Sequence, residues 1–158
     1  AALAGAKEVV CLDQSAPAGD RLMRNAERNG VADRVTFHKA NCMQELRNRL
    51  EAGEQYDTVV VDPPAFARNR REVDGAERGY VELNRRGLGM VKQGGFLVSA
   101  SCSYNVRSAD FVRFLGSASR LAQRDAWIEE LRGAAPDHPA LLVLPESNYL
   151  KCAFLRVP

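Results

Sequence analysis

The sequence predicts an α/β domain with a mostly parallel β-sheet. Short apolar runs alternate along the chain with stretches whose apolar residues recur at helical spacing, which is typical of a parallel sheet covered by helices. The chain has 158 residues, enough for one domain with a sizeable core. Hydrophobic residues make up 46% and charged residues 27%, so a disordered chain, a collagen-like fibre and a disulfide-dense mini-protein are excluded.

Two strands and the helix between them are predicted near the start of the chain. Glu8–Asp13 is a short apolar run typical of a strand buried on both faces, and Arg34–His38 is predicted as the next strand. Ser15 can cap the intervening helix, with Pro17 in its first turn. Gly30 is expected to end this helix.

The strongest strand prediction is Tyr56–Asp62, because Thr58–Val61 is β-branched throughout. The proline pair Pro63-Pro64 cannot continue a hydrogen-bonded ladder, so we expect the strand to end at Asp62. A short helix is predicted before this strand, and Gly53 is expected to end the helix. The apolar residues that mark this helix are Met43, Leu46 and Leu50.

The second half of the chain continues the alternation. The polar stretch Arg68–Arg78 is predicted as a loop, and the glycine pair Gly94-Gly95 as a turn into the strand Phe96–Ala100. Two further strands are predicted near Ala126–Glu130 and Tyr149–Val157. One helix is marked by Tyr80, Leu83, Leu88 and Val91, and a later one by Phe111, Phe114, Leu115 and Ala118.

The charge balance does not identify a binding partner, whereas the cysteines and the absence of an export signal indicate a cellular compartment. Basic residues number 22 and acidic residues 20, a balance that neither requires nor excludes nucleic acid. No apolar run approaches the roughly 20 residues of a membrane span, and no stretch has the pattern of a signal peptide. The cysteines are far apart, without C-x-x-C or zinc-ligand spacing, so we expect no metal site, reduced thiols and a cytoplasmic protein. They are Cys11, Cys42, Cys102 and Cys152.

Candidate functional residues follow three of the predicted strands, because ligands of such sheets bind beyond the carboxyl ends of the strands. After the first strand, the Asp13 carboxylate can accept hydrogen bonds from a ribose diol. The alternative is that Asp13 only caps the next helix, alone or together with Ser15. The sequence leaves these two roles equally open.

The segment Asp62-Pro63-Pro64-Ala65-Phe66 follows the strongest strand. The two prolines fix the backbone at the end of the strand, so that main-chain carbonyls and a carboxylate face the crevice. Phe66 can stack on a flat ring, an interaction worth roughly 1–3 kcal/mol per base. The alternative is an ordinary Asp-Pro turn with Phe66 in the core. Because such a turn rarely needs two prolines, the sequence favours the functional role.

Cys102 lies between two serines directly after the predicted strand Phe96–Ala100. A thiolate at a strand's carboxyl end is a strong nucleophile that can reach the crevice. The alternative is a buried, inert thiol. The two histidines, His38 and His138, show no recognisable pairing with this cysteine, which argues against a Cys–His dyad of the protease type.

Arginines are frequent after the proline pair, where acidic residues partly cancel their charge. A solvated helical face is the simpler explanation, and a surface for RNA phosphates is the alternative. The arginines are Arg68, Arg70, Arg71, Arg78, Arg85 and Arg86.

Several motifs, taken in order, resemble those of a known family. They are Gly5-Ala6-Lys7-Glu8-Val9, Leu12-Asp13-Gln14-Ser15, Val61-Asp62-Pro63-Pro64-Ala65-Phe66, Gly79-Tyr80 with Asn84, Gly94-Gly95, Ser101-Cys102-Ser103, Asp137-His138-Pro139 and Tyr149-Leu150-Lys151. Together they resemble the catalytic domain of the bacterial 23S rRNA cytosine-5 methyltransferases that carry an N-terminal PUA domain. The Asp-Pro-Pro-aromatic motif is shared with many methyltransferases, and its combination with Ser-Cys-Ser and the closing motifs is more specific.

The resemblance implies a Rossmann-like class I methyltransferase sheet with an antiparallel C-terminal strand, and S-adenosylmethionine as cofactor. It assigns the cofactor ribose to Asp13, with Gln14 and Ser15 beside it, and the adenine ring to Asn41 and Cys42. Family members usually have an acidic residue where this chain has Asn41. The segment Asp62–Phe66 is then expected to line the pocket for the methyl donor and the base, with RNA as the substrate. Residues assigned to substrate binding are Pro63, Pro64, Phe66, Arg68 and Arg70.

The resemblance also assigns the chemistry to Cys102, as a nucleophile on carbon 6 of cytosine. Asp62 can protonate or hydrogen-bond the ring nitrogen while charge builds up. Two alternatives stay open: methyl transfer to nitrogen, which needs no cysteine, and a non-catalytic remnant that binds RNA or a partner.

Class I methyltransferases begin with a strand and a glycine-rich turn, and the segment Ala1–Gly5 is expected to correspond to the end of the helix after that turn. We therefore expect residues 1–158 to form a single, partial catalytic domain without the first strand. In such a domain the strands ending at Asp13 and at Asp62 would flank a gap. The alternatives are that the two half-sheets pair directly or that another chain fills the gap.

Overall fold

The computed structural model describes residues 1–66 and 73–158. These residues form two compact units, Ala1–Asn48 and Arg49–Pro158, which are described separately. Within the described residues, no helix is long and apolar enough to cross a membrane. The expectation of one domain stays a prediction.

The first unit is a two-stranded parallel sheet with one long helix. Strand β1 (Val9–Asp13) pairs with β2 (Val35–Lys39), and helix α1 (Ala16–Arg28) connects them as a crossover. Ser15 caps α1, since its side chain accepts a hydrogen bond from the Ala18 amide at 3.3 Å. The buried apolar core of this unit consists of Ala2, Ala26, Val31 and Val35.

A glycine allows α1 to approach β2 closely. A Cβ atom on Gly19 would lie only 2.2 Å from the Phe37 ring, so a larger residue cannot be accommodated without a shift. After β2, helix α2 (Cys42–Glu51) begins, and the boundary between the two units lies in its last turn.

The described residues of the second unit form four strands and two long α-helices. They are β3 (Tyr56–Val61), α3 (Val73–Gly89), β4 (Val91–Ser101), α4 (Ser108–Ala122), β5 (Trp127–Arg132) and β6 (Lys151–Arg156). The sheet order is β3-β4-β6-β5. β3 and β4 are parallel, and β6 is antiparallel to both β4 and β5. Three strands therefore share one direction and only β6 opposes them, as predicted for the C-terminal strand.

The core of the second unit lies where the two helices pack together. Tyr80 on α3 is fully buried and lies edge-on to Phe111 of α4, with ring centroids 5.9 Å apart. All four residues predicted to form the apolar stripe of α4 are buried. At Gly87, a Cβ atom would lie 2.9 Å from a Leu97 methyl group, so this glycine brings α3 close to the sheet.

The boundaries predicted around α3 are wrong in two places. Helix α3 begins at Val73, so the predicted loop extends too far; residues 67–72 lie outside the described residues. Val91 was assigned to the helix by its spacing but is the first residue of β4. Gly94 adopts a φ of 77° inside this strand, and the register with β3 shifts there. The glycine pair is therefore an irregularity within a longer strand, not the turn before it.

Candidate functional site

Two of the three predicted strand ends meet at one edge of the second unit. β3 and β4 are parallel neighbours in which Val61 pairs with Ser99, so the residues that follow each strand emerge side by side. The Cys102 sulfur donates a hydrogen bond to the carbonyl oxygen of Pro63 at 3.9 Å. The structure thus brings together the Ser-Cys-Ser motif and the Asp-Pro-Pro motif.

The Asp62-Pro63-Pro64 segment presents an accessible carboxylate. Asp62 is exposed and makes no hydrogen bond or ion pair with any of the described residues. Pro63 is buried and Pro64 is exposed, so the first proline anchors the segment beneath the surface. The proline rings fix φ on both sides of the Pro63 carbonyl that meets Cys102.

Cys102 is half-buried between two serines that are completely enclosed. The Ser101 hydroxyl donates to the Tyr80 hydroxyl at 2.8 Å, and the Tyr80 hydroxyl lies 3.1 Å from the Ser103 hydroxyl. Because alternate residues of an extended chain point to opposite sides, Ser101 and Ser103 face the core while Cys102 points away from it. The thiol therefore lies at the edge of the unit rather than in its core, and its reactivity stays a prediction.

Tyr80 connects this edge to the rest of the unit. Its ring lies 4.9 Å from the Phe66 ring in an edge-on arrangement, and Phe66 also packs against Gly79. Asn84 donates to the Tyr80 carbonyl at 2.8 Å and is itself fully buried. Phe66 is thus half-buried against α3, at the end of the segment that was predicted to receive a flat ring.

A buried lysine lies under the turn that follows Cys102. The Lys151 ammonium donates to the Ser103 carbonyl at 2.6 Å and to the Val106 carbonyl at 2.7 Å. Burial lowers the pKa of Lys151, and the Cys102 sulfur, when ionised, opposes this shift.

The third predicted strand end lies in the first unit. One Asp13 carboxylate oxygen accepts the Ser15 amide hydrogen at 2.7 Å, while the Ser15 hydroxyl caps α1. Asp13 is exposed, and its second oxygen makes no hydrogen bond to the described residues. The local capping role is confirmed for Ser15, and Asp13 retains an oxygen for a ligand.

Asn41, Cys42 and Gln14 lie at the same edge of the first unit. The Asn41 side-chain oxygen accepts the Gln44 amide hydrogen at 3.2 Å, so Asn41 caps α2. The Cys42 thiol donates to the Leu12 carbonyl at 3.5 Å. Burial and the neighbouring Asp13 carboxylate raise the pKa of Cys42. This thiol is therefore held in its neutral form beside the strand end. Gln14 is exposed and has no hydrogen-bond partner among the described residues.

Two of the three arginines of α3 are engaged with an acidic residue, and the third, Arg78, is exposed. Arg85 and Arg86 both bind Glu82, at 2.7 and 2.6 Å. These pairs lower the pKa of Glu82 to about 2. The simpler interpretation, a solvated helical face, is the one that this part of the structure favours. Arg68 and Arg70, predicted to bind substrate, lie outside the described residues.

Comparison with known sequences gives close relatives over nearly the whole chain, although no family model matches. The chain is 39% identical over 153 residues to the ribosomal RNA large subunit methyltransferase I of Aeromonas salmonicida, a match that covers 96% of this chain. It is 35% identical over 159 residues to the same protein of Erwinia tasmaniensis, covering 99% of the chain.

The chain is similar to one part of the proteins named ribosomal RNA large subunit methyltransferase I. It spans only 39% and 40% of the length of these two relatives.

Solved structures show the same fold at lower sequence identity. SMU.776, described as a methyltransferase and complexed with SAH, superposes with a TM-score of 0.82 at 20% identity, covering 97% of this chain and 40% of that one. NSun6 from Pyrococcus horikoshii with SFG gives 0.66 at 16% identity, covering 94% and 41%. The N-methyltransferase NodS from Bradyrhizobium japonicum gives 0.58 at 14% identity, covering 96% and 67%. The fold is the Rossmann-like α/β fold of class I methyltransferases, as the resemblance implied.

Two residues of this site had no predicted role. Tyr80 and Lys151 both occur in the motifs that carry the resemblance, but nothing in their spacing indicated that they converge on the serines beside Cys102. The one available signal is the alternation in β6: Lys151 lies two and four positions before Ala153 and Leu155, so its side chain is on the same, buried face of the strand.

Proposed function

We propose that this chain is the catalytic part of an S-adenosylmethionine-dependent methyltransferase that modifies carbon 5 of a cytosine in ribosomal RNA, through a covalent adduct with Cys102. The observation that carries the proposal is the placement of Cys102: half-buried beyond β4, with its sulfur 3.9 Å from the Pro63 carbonyl. The relatives named ribosomal RNA large subunit methyltransferase I support an RNA substrate.

Cys102 supplies the nucleophile that this reaction requires. Carbon 5 of cytosine is a poor nucleophile, and attack of the thiolate on carbon 6 forms a sulfur–carbon bond while the ring becomes enamine-like at carbon 5. After carbon 5 has gained a methyl group, a base removes its hydrogen. The electrons of that bond restore the ring double bond and expel the Cys102 sulfur.

We assign the stabilisation of the ring during this attack to Asp62. Its carboxylate is exposed at the end of β3 and has no partner among the described residues that a substrate would need to displace. Negative charge builds up on the pyrimidine as sulfur adds, and a proton held between Asp62 and the ring nitrogen offsets it.

The polar groups at the strand end of the first unit fit a nucleoside cofactor. The free Asp13 oxygen can accept a hydrogen bond from a ribose hydroxyl, and the Gln14 side chain beside it is unengaged by the described residues. Asn41 keeps its amide N–H donors, which the capping bond does not use. When bound, S-adenosylmethionine supplies an electrophilic methyl group.

The RNA base must leave its stack to reach Cys102, because carbon 6 is not accessible to a side chain within a helix. Pro64 and Phe66 would then contact the extruded base, with the buried Pro63 supporting them from below. Arg68 and Arg70 would contact the neighbouring phosphates. We also expect the protein to act in the cytoplasm, where ribosomal RNA is modified.

The proposal is tested by trapping the adduct on RNA that contains 5-azacytidine, from which the cysteine cannot be released by normal elimination. The full-length protein is expected to form a complex that survives denaturing gel electrophoresis, and Cys102→Ala is expected to form none. Cys152→Ala is the matched control, because Cys152 is also half-buried in the same unit but lies within β6; this variant should still be trapped.

Methylation by Cys102→Ala at the wild-type rate would contradict the proposal and indicate transfer to nitrogen. Absence of any methylation by the wild-type protein would indicate a non-catalytic RNA-binding role.

A further inference from the structure

The second unit contains a buried charge that the proposed chemistry does not use. Lys151 is the first residue of β6, and only 6% of its surface is exposed. Its partner residue in the sheet is Ser101 of β4, directly before Cys102. The ammonium group is thus enclosed next to the segment that presents the proposed nucleophile.

Lys151 satisfies two carbonyl groups of one turn. The turn spans residues 103–106 and closes with a 3.2 Å hydrogen bond from the Val106 amide to the Ser103 carbonyl. Ser103 and Val106 are both buried, so water cannot serve their remaining acceptor sites. The ammonium donates to both carbonyls and thereby fixes the backbone immediately after Cys102.

A neutral donor would satisfy these carbonyls with a smaller desolvation penalty. Enclosing an ammonium without a counter-ion is unfavourable, because the charge loses its hydration. No carboxylate of the described residues forms an ion pair with Lys151. The residues on both sides of Cys102 are instead tied to this lysine, Ser101 by sheet pairing and Ser103 by the hydrogen bond of its carbonyl. The positive charge is therefore held next to the backbone of Cys102, where an ionised thiol would complement it.

We propose that Lys151 is a positioning residue for Cys102: its ammonium holds the turn after the cysteine in place and stabilises the thiolate electrostatically. The thiol proton leaves to solvent, because an ammonium that already carries three hydrogens cannot accept it. This inference rests on the proposed function only in taking Cys102 as the nucleophile.

The reactivity of Cys102 toward iodoacetamide tests the proposal without requiring catalysis. Alkylation of each cysteine is followed by peptide mass spectrometry over a range of pH, in the wild type, in Lys151→Met and in Lys151→Arg. In Lys151→Met, the rate of Cys102 alkylation at pH 7 should fall about tenfold. The pH at which this rate increases should also be higher than in the wild type, because only the thiolate reacts. Lys151→Arg keeps the charge and should restore most of the rate.

The matched control is Lys92→Met, which removes an exposed ammonium paired with Asp57 at 3.0 Å and should leave Cys102 alkylation unchanged. A thermal melt shows which variants are folded. An unchanged Cys102 pH profile in folded Lys151→Met overturns the proposal, and so does a loss that Lys151→Arg does not restore.

A comparison within the wild-type protein keeps the proposal testable if Lys151→Met does not fold. Cys42 is half-buried like Cys102 but lies beside the Asp13 carboxylate instead of an ammonium. Cys102 should be alkylated faster than Cys42 at pH 7 even though the Asp62 carboxylate precedes the Pro63 carbonyl that Cys102 contacts, and an equal or slower rate overturns the proposal.

Failure of this inference and failure of the proposed function can be told apart. If Cys102 traps 5-azacytidine RNA but its alkylation rate is the same in the Lys151 variants as in the wild type, only the role of Lys151 is overturned. A rate that depends on Lys151 without any trapped RNA would overturn the proposed reaction.

Discussion

The strand ends of the two units hold their polar side chains in different ways. In the first unit, the contacts of Asp13, Ser15 and Asn41 are local, since each joins residues two or three positions apart. In the second unit, the groups around Cys102 are joined by long-range contacts. Tyr80 and Ser103 are 23 positions apart in the chain, and Lys151 and Ser103 are 48 apart.

Exposure differs in the same sense. Asp13 and Asn41 are exposed, whereas Tyr80, Ser101 and Ser103 are almost completely enclosed. An exposed side chain held by one local hydrogen bond can still adjust to a ligand. A buried hydrogen-bond network, in contrast, prevents displacement of the backbone. We infer that the first strand end is suited to reversible binding and the second to holding a nucleophile within close tolerances.

The largest expected effect comes from removing the ring at the centre of the buried network. Tyr80→Ala leaves a cavity beside Phe66 and Phe111, and should lower the free energy of unfolding by about 3–5 kcal/mol. Tyr80→Phe should lower it by about 1–3 kcal/mol, since two enclosed serine hydroxyls lose their partner. Urea denaturation measures both values.

Tyr104→Ala is the control, because Tyr104 is 49% exposed in the same unit and its loss should change stability by less than about 0.5 kcal/mol. Equal effects at the two tyrosines would contradict the buried network.

The next effect concerns the packing of the first unit. In Gly19→Ala the new methyl group meets the Phe37 ring at 2.2 Å, and the resulting shift should lower the free energy of unfolding by about 1–3 kcal/mol. Gly75→Ala is the matched control, because Gly75 lies in α3 with no atom within 4 Å of the added Cβ. That variant should gain up to about 1 kcal/mol from helix propensity. A Gly19→Ala variant as stable as Gly75→Ala would show that α1 and β2 are not in close contact.

Asp13→Ala separates binding from stability at the exposed strand end. Loss of one local bond to the Ser15 amide should change the free energy of unfolding by less than about 1 kcal/mol. Affinity of the full-length protein for S-adenosylmethionine, measured by calorimetry, should fall about tenfold or more, because a charged acceptor is lost. Asp20→Ala, an exposed acidic residue of α1, should leave affinity unchanged. Unchanged affinity in Asp13→Ala would remove this residue from the cofactor site.

The smallest effect is the pH dependence due to Glu82. The pKa of this carboxyl is lowered from 4.5 to about 2 by Arg85 and Arg86, so its stabilisation is present above pH 4.5 and is lost as the pH falls toward 2. Because the pair is partly exposed, the contribution should be below about 1 kcal/mol. Glu82→Gln should flatten the acid limb of the stability curve between these pH values. An identical limb in the variant would show that the pairs contribute nothing.

The sequence correctly predicts the helices and strands whose residue pattern matches their burial and pairing in the folded protein. Thr58–Val61 is β-branched and lies in a strand that ends before the prolines, and the apolar stripe of α4 is buried as expected. Val91 was misassigned because its spacing from Leu88 continues a helical pattern, although Gly89 ends the helix between them. Charged residues at the start of α3 suggested a loop, yet Glu77 there binds Arg113 of α4 at 2.7 Å.

The site was only partly predictable for a related reason. That Asp62 and Cys102 would lie together follows from parallel pairing, since neighbouring strands end at the same edge. The contact of Lys151 with the Ser103 turn depends on β6 running antiparallel to β4 in one particular register. Single-sequence patterns do not fix such a register, so the buried ammonium could be recognised only in the structure.

The most direct test of the account is the fate of the hydrogen on carbon 5 of the target cytosine. Ribosomal RNA is prepared with tritium at carbon 5 of its cytosines, and methyl transfer by the full-length protein is followed together with tritium release. Attack by Cys102 and elimination predict one tritium released into water for each methyl group transferred. Methyl transfer with the tritium retained would contradict the account and indicate a nitrogen acceptor.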